Sequence, residues 1–399
     1  MNADSEKERE EEVQPPELPD LATPEPLSFA PWHKPRKQYV RREQWMRHIQ
    51  GVIDKLRQNG DLNGERPFRY LTLPGPDLLD VKLVADLCDY NEERLQYLGF
   101  CHVSEAESRR LRRNVNEFSI SRSKGIAPGS KVVLAPLQDV QRQNSEAFVS
   151  MTKSGTFDAV NIDACDPIAK DDKNATGRLI DSIRHVTEYQ IANRRSPWVL
   201  FLTTPVQIDT IADESLGVLL SQIEQNSQSD EEFAQEIGDQ FADGEDLATF
   251  MRRWSGQNGS ELLSLVTLGL AKWFIHLSEQ VNFRVKMMKS YNYSIFQEEP
   301  YEPNMLSLCF FFEPSPLQIV DDTGLTVNPD PNPVGTPPIS DHIRALRKSI
   351  SIENVDELLI GDEDLRVAMT KDTKAMLQNA GYLVDDPVNG YDAWLSGFE

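Results

Sequence analysis

Phe68-Arg-Tyr-Leu-Thr-Leu-Pro-Gly-Pro-Asp77, with the residues that follow it to Glu105, decides the fold. Residues 68–73 form an apolar run of strand length, and Pro74, Gly75, Pro76 and Asp77 make a tight loop. Over residues 78–95, Leu79, Leu83, Val84, Leu87 and Leu95 recur at helical spacing. Leu98-Gly-Phe-Cys-His-Val103 is a second strand-like run that closes on the acid Glu105. A strand, a glycine-containing turn, a helix and a second strand ending at a carboxylate form half of a nucleotide-cofactor site. The turn lets backbone approach the ligand, and the acid accepts hydrogen bonds from ribose hydroxyls.

The alternation continues outward. A polar helix is predicted over residues 106–121, a third strand over 131–135 followed by Asp139, and a fourth strand over 157–163. A helix over 176–193 and a fifth strand over 198–203 follow. Apolar strands alternating with helices predict a parallel sheet covered on both faces. Residues 213–281 read as a helical insertion. Runs at 283–295 and 304–312, joined by a short connection, read as an antiparallel pair. The expected fold is therefore α/β: a Rossmann-like sheet of about seven mostly parallel strands with an antiparallel last pair, a helical insertion and helical extensions.

Residues 1–28 are rich in Glu and Pro and read as a disordered acidic tail. Residues 29–66 hold a basic, aromatic arm and a helix with Trp45, Ile49, Ile53 and Leu56 on one face. Residues 67–314 are the main domain, 315–339 a linker, and 340–399 a small helical module.

The 399-residue chain carries a net charge of −23, so broad non-specific phosphate binding is disfavoured while a local basic groove remains open. Cys88, Cys101, Cys165 and Cys309 show no CxxC spacing and read as reduced core thiols. The N-terminus is acidic rather than basic-then-apolar, and no uncharged apolar run reaches the roughly 18 residues of a membrane helix. The expectation is a cytoplasmic protein with no membrane partner.

Five alternating strands, an inserted helical region and an antiparallel final pair resemble the class I S-adenosylmethionine-dependent methyltransferases over residues 68–314. The resemblance implies S-adenosylmethionine as cofactor. It implies that Leu73, Gly75 and Asp77 hold the cofactor's methionine end, Glu105 its ribose and Asp139 its adenine. Asn161, Asp163 and Asp166, at the end of the fourth strand, stand where catalytic residues lie. The loop departs from the family pattern, which has two or three glycines; here Gly75 stands between two prolines that each remove an N–H donor. Residues 161–167 also differ from the motif of amino-methylating nucleic-acid enzymes. The implied activity is methyl transfer; the alternative is a catalytically silent methyltransferase-like sensor or scaffold.

Each candidate has a plainer reading. Glu105 can open the next helix as a solvated acid, and Glu107 competes with it. Asp163 and Asp166 can orient or deprotonate an acceptor, or simply end a strand before Pro167. Two acids three residues apart are too few for a metal site, and none is assigned. The histidines are isolated: His102 and His276 read as structural, and His185, after Arg184 on the helix following the fourth strand, reads as outward-facing. Lys34, Arg36, Lys37, Arg41 and Arg42, interleaved with Trp32, Tyr39 and Trp45, suit a nucleic acid or another phosphorylated substrate. The alternative is an arm docked on the protein's own acidic body. Arg109, Arg110, Arg112 and Arg113 form a second basic run near the cofactor edge. The C-terminal module is a candidate for contacting a protein partner.

Overall fold

The sheet is built on strands whose two faces are both apolar. The computed structural model describes residues 27–101, 107–164, 166–168, 178–208, 211, 213–239, 247–255, 259–279, 281, 283–295, 302–315 and 340–397. In β4 (Ala159–Asp163) and β5 (Trp198–Pro205), Val160, Ile162, Leu200 and Leu202 face one hydrophobic cluster, while Ala159, Val199 and Phe201 face another. Alternation with period two places successive side chains on opposite faces, so such strands must be covered on both sides.

Among the described residues the sheet has nine strands. β1 (Phe68–Thr72) lies between β2 (Leu95–Phe100) and β4, β3 (Lys131–Val133) flanks β2, and β5 flanks β4, all parallel. β8 (Met305–Pro314) runs antiparallel beside β5. The expected sixth strand is interrupted: β6 (Phe283–Met287) and β7 (Tyr291–Tyr293) each pair antiparallel with β8. A two-residue β9 (Glu353–Asn354) joins β7 in parallel. The order is β3-β2-β1-β4-β5-β8-β7-β9, with β6 also on β8, so the antiparallel strand stands between β5 and the last strands of a mostly parallel, Rossmann-like sheet, as expected.

The second strand and its preceding helix differ from expectation. α3 (Leu79–Tyr90) ends early and the strand begins at Leu95 rather than Leu98. No Gly or Pro marks that turn. Glu92 adopts the left-handed conformation (φ 57°), and the Asn91 amide donates to the Leu87 carbonyl at 2.9 Å, closing the helix. Leu95 happens to extend the helical spacing, and the helical period alone does not separate the two elements.

The N-terminal segment is one nearly continuous helix, α1 (Pro35–Val40), a π-helical turn (Arg41–Met46) and α2 (Arg47–Gln58). Ile49, Val52, Ile53 and Leu56 of α2 are fully buried against the sheet. After β2 come α4 (Glu107–Ser121), a 3₁₀ turn (Leu137–Gln141) beyond β3, α5 (Glu146–Ser154), and α6 (Leu179–Asn193) between β4 and β5. The insertion holds α7 (Asp213–Ser229), α8 (Glu231–Ile237), α9 (Leu247–Ser255) and α10 (Ser260–Glu279). α10 is long and apolar enough to span a bilayer by length and composition, although Lys272 interrupts its apolar run. It packs instead against β6 and α7, with 67% of its apolar stretch buried.

The last module, α11 (Asp341–Ile350), α12 (Val355–Gly361), α13 (Glu363–Asn379) and α14 (Tyr391–Ser396), meets the N-terminal arm. Phe29 stacks on Tyr382 and packs edge-on against Tyr391 and tilted against Trp394, each ring centroid 5.5 Å away. Residues 1–26 of the expected tail and 316–339 of the expected linker lie outside the described residues.

Candidate functional site at the β1/β4 switch point

In the sheet order, chain connections turn one way from β1 and the other way from β4, so the loops after these two strands part and leave a crevice. Ligands of open α/β sheets bind there. A cavity of about 670 Å³ occupies this position. Its floor is the loop from Leu73 to Leu78, and its sides include Phe100 and Cys101 beyond β2, Pro136, Leu137 and Gln138 beyond β3, and Asp163, Ala164 and Asp166 beyond β4. Trp32, Lys37, Arg41 and Trp45 of the N-terminal segment complete it.

The floor loop is held from three directions. Pro74 lies against Gly99 of β2: a Cβ at residue 99 would stand 2.8 Å from Pro74 Cγ and 3.1 Å from Val132. Glycine is therefore required for the loop to lie this close to the sheet. Leu78 takes the left-handed conformation (φ 51°) to start α3, an uncommon state for a leucine, and its side chain is fully buried. Asp77 accepts from the Tyr382 hydroxyl at 2.8 Å and is paired with Arg112, whose guanidinium sits 4.6 Å from the Tyr382 ring. The C-terminal module thus buttresses the loop. By contrast, a Cβ at Gly75 would meet nothing within 4 Å, which leaves room over the floor.

Beneath the floor lies a polar network. Asp80 is buried and accepts from Tyr70 at 3.0 Å and Thr72 at 2.5 Å. Burial raises its pKa against the hydrogen bonds that favour the charged form. Asn161 donates to the Tyr70 hydroxyl at 2.9 Å and is fully buried.

The expected site residues separate on this geometry. Leu73, Gly75, Asp77, Asp163 and Asp166 line the cavity. Asn161 does not: its side chain points to the Tyr70 network below, where it holds the floor rather than a substrate. Asp139 does not line the cavity either, because its carboxylate pairs with Arg142; the neighbouring Gln138 faces the cavity. Glu105 and His102 lie outside the described residues, as does Cys165. Of the other cysteines, Cys88 and Cys309 are buried and Cys101 is at the cavity wall.

The basic segment is not an open arm. Arg36 is paired with the buried Asp356 at 2.9 Å and donates to the Ser294 carbonyl. Arg42 reaches Asp372 at 3.0 Å, and Lys34 is 2% exposed. Gln44 anchors the π-helical turn by donating to the Ser307 and Lys289 carbonyls at 2.8 and 3.1 Å, across the gap between β6 and β7. Two of the charges expected to meet a polyanion thus pair with acids of the C-terminal helices, Arg36 in a buried pair and Arg42 in an exposed one. Lys37 and Arg41 differ: they turn into the cavity. Lys37 Nζ meets Asp163 Oδ1 at 2.5 Å, the Tyr293 hydroxyl at 3.3 Å and the Trp45 ring at 4.7 Å. The second basic run is also partly spent, Arg112 on Asp77 and Arg113 on Cys101, while Arg109 lines the cavity beside Trp32.

His33 backs the same wall. Its Nδ1 accepts from the Ala30 N–H at 3.1 Å, and burial beside Arg41 and Arg112 drops its pKa to about 3, so the ring is neutral. Gly99, Tyr382 and Gln138 were not singled out from sequence. Gly99 carried a signal, since a glycine inside a strand marks a close backbone approach. Tyr382 carried none.

No curated protein sequence matches this chain. Among solved structures, it is similar to PH1948 from Pyrococcus horikoshii, named as a provisional RNA methyltransferase, with 9% identity over 67% of this chain and 83% of that one and a TM-score of 0.30. It is also similar to the plantazolicin methyltransferase BpumL, crystallised with S-adenosylhomocysteine and a triazolic desmethylPZN analogue. Here identity is 10% over 69% and 88% of the chains, with a TM-score of 0.28. At such TM-scores the architecture rests on the strand order and not on these likenesses. A family model described as PP_RS20740-like matches residues 26–396, and the chain belongs to that family.

Proposed function

We propose that the protein is an S-adenosylmethionine-dependent methyltransferase with its cofactor in the cavity at the β1/β4 switch point. One observation carries this reading: a cavity of about 670 Å³ lies on the loop after β1 and is walled by the segments that follow β2, β3 and β4. Its size suits a small-molecule site, which spans about 300–1,000 Å³. The residues fit such a cofactor. The open space above Gly75 admits the amino-acid end. Phe100 and Leu137 offer apolar faces to a purine, and Gln138 offers both a donor and an acceptor to its edge. Arg41 supplies a buried cation for a carboxylate.

The cofactor would supply an electrophilic methyl group on a sulfonium. The chain's own task is to align an acceptor with that methyl and to exclude water. Asp163, held by Lys37, orients the acceptor, and Trp32 and Trp45 shield the site. The test is calorimetry with S-adenosylhomocysteine. Wild type should bind saturably. Gly75→Leu should melt like wild type, because the Cβ position is open, yet lose binding as the side chain fills the cavity. Absence of binding by wild type would reject the cofactor and favour the silent sensor or scaffold.

A further inference from the structure

Arg41 is a buried cation at the cavity wall whose hydrogen-bonding capacity is largely unmet among the described residues. It is 4% exposed and lines the cavity. Its Nη2 donates to the Trp32 carbonyl at 3.3 Å, while among the described residues Nε and Nη1 have no hydrogen-bond partner. Two neighbouring cations are matched already, Lys37 by Asp163 and Arg112 by Asp77. A buried, unpaired guanidinium is costly, and burial accordingly lowers the Arg41 pKa against the pull of Asp163 and Asp80. An unsatisfied buried polar group at a cavity wall is what a site for an opposite charge leaves behind when the ligand is away.

We propose that Arg41 is a carboxylate anchor for the ligand of this cavity. A carboxylate suits the site better than a phosphate. Asp163, Asp166 and Asp77 already line the cavity and would oppose a dianion, whereas a planar monoanion matches the planar guanidinium. The cavity is also walled by Trp32, Trp45, Ile295 and Met305, which suit an apolar or aromatic body behind the carboxylate. The π-helical turn that begins at Arg41 sets this geometry, and such turns recur at functional sites. Two molecules carry a carboxylate to this position: the cofactor, through its amino-acid end, and an acid as methyl acceptor. The first of these rests on the cofactor reading above; the second does not need it.

Arg41→Met tests the anchor with three probes, read by calorimetry on the full chain. S-adenosylhomocysteine carries the cofactor's carboxylate. 5′-Methylthioadenosine has the same nucleoside thioether without it. Indole-3-carboxylate represents an acceptor acid, with indole-3-carboxamide as its neutral control. If the cofactor brings the carboxylate, Arg41→Met weakens S-adenosylhomocysteine by roughly 10- to 150-fold and leaves methylthioadenosine unchanged. If the acceptor brings it, S-adenosylhomocysteine is unchanged, while indole-3-carboxylate binds wild type, fails to bind the variant, and outcompetes the carboxamide. Failure of wild type to bind both nucleosides rejects the cofactor reading and leaves the indole arm to judge Arg41. Equal affinities of wild type and variant for every probe, or no carboxylate bound by wild type, overturns the anchor. Arg41→Met should melt no lower than wild type, because it removes an unpaired buried charge. Should it fail to fold, Arg41→Lys keeps the charge and loses the planar fork, and the carboxylate probe must still weaken.

Discussion

Lys272→Met should stabilise the protein at neutral pH, and the gain should shrink as pH rises. Lys272 sits in α10 with 1% exposure, and its Nζ has no hydrogen-bond partner among the described residues. Its ammonium lies 3.8 Å from the Phe233 ring centroid. Burial pushes its pKa down to about 7, with Asp230 and Glu279 pulling weakly the other way. A drop of that size from an ordinary lysine, at about 1.4 kcal/mol per unit, sets a ceiling of about 4–5 kcal/mol on the penalty for keeping the amine in the native state near pH 7. Methionine fills nearly the same volume without charge but loses the cation–π contact, worth about 1–2 kcal/mol. The net gain expected at pH 7 is therefore about 2–4 kcal/mol. The sign with pH follows from proton counting. Between pH 7 and 10.5 the unfolded lysine holds a proton that the native one has lost. Wild-type stability therefore gains from this group as pH rises through that window, and the full penalty stands below it. Urea denaturation of both proteins at pH 6.5, 8 and 9.5 measures the difference. The reasoning is refuted if the two stability curves run parallel across this range, or if the variant is the weaker at pH 6.5.

The remaining expectations concern the loop, the sheet base and acid. Gly99→Ala should push Pro74 off the sheet, at a cost of about 1–3 kcal/mol of stability and with loss of S-adenosylhomocysteine affinity; an unchanged melting curve and affinity would show that the loop is not clamped there. Asp158, fully buried, is held by Arg194 at 2.7 Å and by Arg66 at 2.7 Å, and these guanidiniums outweigh burial to keep its pKa low. Asp158→Asn leaves two guanidiniums facing a neutral amide and should cost about 3–5 kcal/mol in chemical denaturation, so a loss below 1 kcal/mol would count against the network. Acid should destabilise the protein early. Burial of His33 and partial burial of His48 lower their pKa values to about 3 and about 4, so the unfolded chain takes up protons from about pH 6.5 downward while the native state does not. Melting temperature should fall between pH 6.5 and 4, and His48→Gln should flatten part of that slope.

The sequence by itself determined the sheet and the place of the cavity at its switch point. Strands β1, β4 and β5 are legible because each buries both faces, and a parallel arrangement then follows from the helices between them. The loop from Leu73 to Asp77 and the acids Asp163 and Asp166 are legible because ligands of this architecture gather at the carboxyl ends of the strands. Local pattern says nothing about which charges meet. Lys37 reaches Asp163 across 126 residues of sequence, and Tyr382 reaches Asp77 across 305. A basic, aromatic segment has the same composition whether it lies open to a polyanion or folds inward against acids from another part of the chain. Only the tertiary structure decides this, because pairing energy depends on distance and burial rather than on sequence order. The inward choice gave Lys37 to Asp163 and Arg36 to Asp356 and left Arg41 buried at the cavity wall. Asn161 and Asp139 fell short for a related reason. Position along the chain places a residue at a strand end, but the rotamer and the nearest partner, Tyr70 for one and Arg142 for the other, decide whether its side chain faces the cavity.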